Sequence, residues 1–160
     1  MLTDVGVRYI LAGPLPSPSI PTSLNASLLA RLDRLASVRE VAQIGAAVGR
    51  SFSHELISAV ASIPQPQLDD ALGQLVSAEL IFRRGSPPHA EYTFKHALVQ
   101  DAAYDTLLRS RRQQIHARIA MTLESQFPEI AASHPAVLAD HFTKGSLTEE
   151  ALKYWIAACV

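Results

Sequence analysis

The chain has 160 residues, of which 48% are hydrophobic and 18% charged, and its formal net charge is −1. That length allows one domain, or one domain with part of another, and a chain of this size buries roughly 68–70% of its unfolded surface without a covalent staple. The near-zero charge supplies no overall field for nucleic acid or anionic lipid. A single cysteine, Cys159, leaves no disulfide framework or thiolate metal site.

The opening Met1-Leu-Thr-Asp-Val-Gly has neither the basic nor the apolar region of a signal peptide. No apolar run approaches the roughly 20 residues of a membrane span. A reducing, cytoplasmic setting is therefore expected. Residues 1–21 read as an extended lead-in: 7–12 has the pattern of a short strand, and four prolines within 13–21 exclude a helix.

The helical period begins at Thr22, with Leu24, Leu28, Leu32 and Leu35 on one stripe. A second helix carries Val38, Val41, Ile44 and Val48 and stops near Gly49. Ser53 is placed to cap a short third helix over 53–61, and Pro64 and Pro66 separate it from a fourth. There Leu68, Ala71, Leu72, Leu75 and Val76 face inward. The period then switches to that of two strands, 80–84 and 91–94, joined by the turn-rich segment 85–90. Short helices followed by a two-stranded wing form the pattern of a winged helix, assigned here to residues 22–109.

Two longer helices follow, about 96–108 and 110–126, the second with Ile115, Ile119, Leu123 and Phe127 at four-residue intervals until Pro128. A last pair, 135–144 and 148–158, turns at Gly145 and packs through Ala151, Tyr154 and Trp155. Residues 110–160 thus read as a helical linker and the first helix pair of a TPR-like superhelix, cut short because one such pair cannot bury its own face. The expected class is mainly α with a small β wing. The exposed leucines, Tyr154 and Trp155 near the end point to possible self-association.

Catalytic patterns are missing. No Gly-x-x-x-x-Gly-Lys-Ser/Thr cradle is present. His54-Glu55 begins like a zinc-protease helix, but the second histidine position is Ser58. His134 and His141 are spaced too loosely to suggest a metal. Ser51 and Ser53 beside His54 have no evident orienting acid or glycine elbow. Asp69-Asp70 project about 100° apart on a helix, and stabilisation of a helix N-terminus accounts for them. No metal or catalytic residue is expected. DNA reading is the natural suspicion for a winged helix, yet no Lys or Arg lies between Ser53 and Phe82, while Glu55, Asp69, Asp70 and Glu79 are acidic. A helix entering a groove between phosphates must bring cations. Nucleic acid is not the expected partner. One basic cluster, Arg109, Arg111, Arg112 and Arg118 with His116, fits a capped helix end or docking to an acidic partner.

The strings Ile20-Pro-Thr-Ser-Leu, Leu29-Ala-Arg-Leu-Asp-Arg-Leu35 and Ala46-Ala-Val-Gly-Arg-Ser-Phe52 resemble the segment after the AAA-type ATPase core in bacterial STAND signalling ATPases. Tyr92 to Ile119 resembles the same family's Phe-Arg-His-Ala-Leu-x-x-Asp-x-Ala-Tyr stretch. The likeness is closest to multidomain proteins that join an adenylate/guanylate cyclase domain, an ATPase module and a helical-repeat tail. It implies a non-catalytic fragment that couples nucleotide state to a helical-repeat sensor, with an ATPase core and further repeats as partners. No cofactor is implied for the chain alone; ATP or ADP belongs to the parent. Related NB-ARC proteins end the winged helix in a Met-His-Asp motif whose histidine contacts the ADP phosphate, and Lys95-His96-Ala97-Leu98 matches its position. His96 is thereby the candidate phosphate sensor, dependent on the missing core, while Ala97 stands where the motif has aspartate. The alternatives are a DNA-binding winged-helix transcriptional regulator and a cyclase in the parent's sense. No cyclase metal carboxylates on a strand–turn pattern occur.

Overall fold

The computed structural model describes residues 36–160 and, before them, Ala30. The lead-in over 1–21 and the helix expected from Thr22 to Leu35 lie outside the described residues. Those described form eight helices and three short strands. The order is α1 (Ala36–Val48), β1 (Ser51–Ser53), α2 (His54–Val60), α3 (Gln65–Ser77), β2 (Ile81–Arg84) and β3 (Glu91–Phe94). There follow α4 (Ala97–Asp105), α5 (Arg109–Gln126), α6 (Pro128–Ser133), α7 (Pro135–Lys144) and α8 (Thr148–Ala158).

Local chemistry sets most of these boundaries. Ser53, in extended conformation, accepts a hydrogen bond from the Leu56 N–H at 3.1 Å and so starts α2. Pro66 lies in the first turn of α3, where its missing N–H costs nothing. At the other end of α3, Glu79 adopts φ 61°, and the Leu80 and Glu79 N–H groups return to the Leu75 and Val76 carbonyls. That is a Schellman stop. The same device ends α7: Leu147 N–H donates to Phe142 O and Ser146 N–H to Thr143 O, with Ser146 at φ 63°. The left-handed residue is therefore Ser146, one place after the expected Gly145. Glycine is required at 145 for space: a Cβ there would lie 2.8 Å from the Ala117 backbone nitrogen of α5.

The sheet is antiparallel with order β1-β3-β2. Phe52 sits opposite Tyr92, and Ile81 opposite Phe94. The expected two-stranded wing is thus corrected to three strands. β1 is too short for a periodic signal; it is held by pairing with β3 and by Arg50, whose Nε donates to the Phe94 carbonyl at 2.9 Å. Phe52, Tyr92 and Phe94 bury their rings together beneath α1, which passes so close that a Cβ on Gly45 would meet Phe52 at 2.7 Å.

Two further boundaries differ from expectation. The helix expected over 96–108 ends at Asp105, with Thr106 donating its hydroxyl to the Ala103 carbonyl. Pro128, expected only to end α5, also opens the short helix α6. One core runs from Val41, Ile57 and Leu72 through Phe94 and Ile119 to Leu138, Phe142 and Ala151. Helix α5 joins its halves, touching α1 and α2 on one side and α7 on the other, while α8 lies against α7.

Candidate functional site

His96 is the N-cap of α4, with φ −135° and ψ 146°, and its side chain is exposed. It makes no hydrogen bond to any described residue, and its carbonyl accepts the Val99 N–H at 3.0 Å. The first turn of α4 contains no acidic residue. A phosphate oxygen approaching this turn would meet one imidazole and the unpaired N–H groups of a helix start. One turn along α4, Gln100 donates to the Ala46 carbonyl of α1 at 3.2 Å, tying the helix start to α1.

The arginines divide between two duties. Arg109, Arg111 and Arg112 lie in the first turn of α5, so an arrangement complementing a helix C-terminus is corrected for Arg109 and Arg111. Arg111 pairs with Glu40 of α1 at 2.7 Å. Arg112 does serve the end of the preceding segment: its Nε donates to the Leu107 carbonyl at 3.1 Å, and its guanidinium covers the Tyr104 ring at 4.5 Å. Arg118 reaches from α5 to the last carbonyl of α2, Val60 O, at 3.1 Å. Three of the four arginines are thus spent on internal joints. His116, grouped with them in sequence, is 1% exposed and belongs to the core.

Tyr154 is half-buried, stacked on Phe142 with ring centroids 5.5 Å apart, and donates its hydroxyl to Glu124 at 2.7 Å. Burial, then the hydrogen bond and charge of Glu124, push its pKa up to about 12. Trp155 keeps 42% of its surface exposed and donates Nε1–H to Thr143 Oγ1. With Leu152 and Ile156, each 59% exposed, it forms the outer apolar face of α8.

Two clusters were not visible in the sequence. In the first, the Nδ1 atoms of His116 and His141 share a hydrogen bond at 2.9 Å, and His116 Nε2 shares another with the Tyr104 hydroxyl at 2.9 Å. Burial lowers both imidazoles to about 4; beside it, the His141 charge further depresses His116, and Lys144 depresses both. The chain of bonds ties α4, α5 and α7 through neutral rings, beside a cleft of about 570 Å³. A separation of 25 residues between the histidines gives no local pattern, so only the packing of α7 on α5 reveals them.

The second cluster corrects the expectation that His54 has no acid partner. Asp69 Oδ1 accepts from His54 Nε2 at 2.8 Å and from Gln65 Nε2 at 2.9 Å. Asp69 and Asp70 lie beyond the first turn of α3, so a helix N-terminus does not explain them. The His54 hydrogen bond, then that of Gln65, hold the Asp69 carboxyl below its ordinary value despite partial desolvation. Among the described residues no serine bonds His54 to complete a triad: Ser53 Oγ caps α2, and Ser51 Oγ bonds Thr93 Oγ1 at 2.9 Å. Among the described residues, no three of His, Cys, Asp and Glu converge to hold a metal.

No protein-family model matches the sequence, and no solved structure matches it. The chain is 29% identical, over 143 residues or 89% of its length, to an uncharacterized protein of Rhizobium meliloti (strain 1021). Those residues make up 14% of that protein, so the chain spans a small part of the relative it matches. No helix among the described residues is long and apolar enough to cross a membrane.

Proposed function

We propose that the chain is a non-catalytic regulatory and interaction module of a longer signalling ATPase. In this reading α1–α4 with the sheet form a winged helix that presents His96 to a nucleotide held by a separate ATPase core. Helix α5 carries that part onto α7 and α8, the first pair of a TPR-like array. The observation that carries the reading is the outer face of α8. Leu152, Trp155 and Ile156 stand exposed on the far side of a stacked helix pair, where the next pair of an array would sit. The alignment to a small share of a much longer relative supports the same view.

In this reading His96 plays a contributing part. An exposed imidazole and one helix start supply few of the contacts a nucleotide needs. A charge-assisted hydrogen bond contributes roughly 1.5–3 kcal/mol, and even millimolar affinity takes about 4.1 kcal/mol. The phosphate cradle must therefore come from the core. The DNA reading has no observation in its favour, because α3 exposes Asp69 and Asp70 and carries no cation.

In a protein joining this chain to the ATPase core of its parent, His96→Ala should weaken ADP by about tenfold to a hundredfold. Unchanged ADP affinity would remove His96 from the mechanism. Separately, Leu152→Glu with Ile156→Glu should leave the stability of this chain within about 0.5 kcal/mol while abolishing its association with the following repeat, measured by analytical ultracentrifugation.

A further inference from the structure

The His54–Asp69 pair forms part of a cleft of about 720 Å³, within the range of small-ligand sites. The start of α2, the first turns of α3, the loop after β2 and the end of α5 line this open cleft. Its polar lining is His54, Glu55, Ser58, Gln65, Asp69 and Gln126; Pro87, Pro88 and Phe127 supply apolar walls. Among the described residues no Lys or Arg lines it.

Two carboxylates in this lining keep an unused oxygen. Both hydrogen bonds to Asp69 land on Oδ1, so Oδ2 has no partner among the described residues. Glu55 accepts from His89 through Oε2 alone, at 2.9 Å. Ser58 Oγ is buried and has no hydrogen-bond partner among the described residues, so its valences are left for water or a ligand group. His54 is 4% exposed and fixed by Asp69, which makes the array rigid before anything binds.

We infer that this cleft is a binding site for an alkylguanidinium group, its planar N–H fork meeting Asp69 and Glu55 and its aliphatic stem lying along Pro87, Pro88 and Phe127. The five donors of a guanidinium match the free carboxylate oxygens of Asp69 and Glu55, and bidentate pairing with carboxylate is their strongest mode. The lowered carboxyl of Asp69 keeps the charge in place down to acidic pH. The group could be carried by an arginine side chain of a partner segment or by a free guanidine, and the same carboxylates would receive either.

The test is a two-dimensional NMR titration of the 160-residue chain with three probes: an acetylated, amidated Ala-Arg-Ala peptide, its citrulline counterpart, and agmatine. The arginine peptide should shift resonances of His54, Ser58 and Phe127 with low-millimolar affinity, and the uncharged citrulline peptide should bind at least about tenfold more weakly. Agmatine binding as tightly as the peptide would assign the site to the guanidinium alone; a tighter peptide would assign it to a protein side chain. Asp69→Asn and Glu55→Gln should each weaken binding about tenfold. Because Asp69→Asn also loosens His54, the half-exposed Glu55 supplies the variant whose fold is unaffected. Equal binding of arginine and citrulline, shifts located elsewhere, or undiminished affinity in Glu55→Gln would overturn the assignment. None of these outcomes depends on His96 or on an ATPase core.

Discussion

At the scale of single residues, the His116–His141 pair makes the sharpest demand on solution behaviour. Both imidazoles are held near 4 in the folded chain against about 6.5 when exposed. Between those values the unfolded chain binds protons that the folded chain refuses, so stability must rise with pH across this window. It is fully present above about 6.5 and is lost as pH falls toward 4. Urea denaturation from pH 4 to 7 should show a slope of up to about 1.4 kcal/mol per pH unit for each histidine, and His116→Gln with His141→Gln should flatten it. Asp69 acts in a lower window: its depressed carboxyl contributes stability above the ordinary carboxylate value of 3.8 that is lost as pH falls through its folded value. Tyr104→Phe removes the hydroxyl partner of His116 Nε2 and should cost about 1–3 kcal/mol at neutral pH. A loss below 0.5 kcal/mol would mean that water replaces the hydroxyl. None of these partners could be read from local sequence. His54 and Asp69 lie on different helices, as do His116 and His141, and sequence pattern records spacing within an element only.

At the scale of elements, legibility followed the length of the periodic signal. Helices α1, α3 and α5 show their apolar stripes over three turns or more, and the Ser53 cap and the strands β2 and β3 stand where turn chemistry and alternation put them. Strand β1 has three residues and exists because β3 offers it an edge, so nothing local announces it. Gly145 was legible as a turn, but for a reason that only packing shows. Its own φ of −82° suits any residue, and the constraint is the Ala117 backbone of α5, which cannot yield as a side-chain tip would. Gly145→Ala should therefore cost about 1–3 kcal/mol, seen as a lower Tm in circular dichroism. Gly73 on the exposed side of α3 has nothing within 4 Å of its missing Cβ, so Gly73→Ala should instead stabilise by up to about 1 kcal/mol.

At the scale of the whole molecule, α5 is the element that joins the two halves. Arg111 fastens it to α1, Arg118 to α2, and His116 to α7. The mainly helical class with a small sheet was legible from composition and period, whereas the coupling was not, because it rests on side chains reaching between elements far apart in sequence. The proposed role assigns the nucleotide cradle to a separate ATPase core and leaves this connection to the chain. Titration calorimetry of ADP into the 160-residue chain tests that division of labour most directly. The account predicts no saturable binding tighter than about 1 mM, since it assigns the phosphate cradle to a separate ATPase core; a micromolar dissociation constant would contradict it.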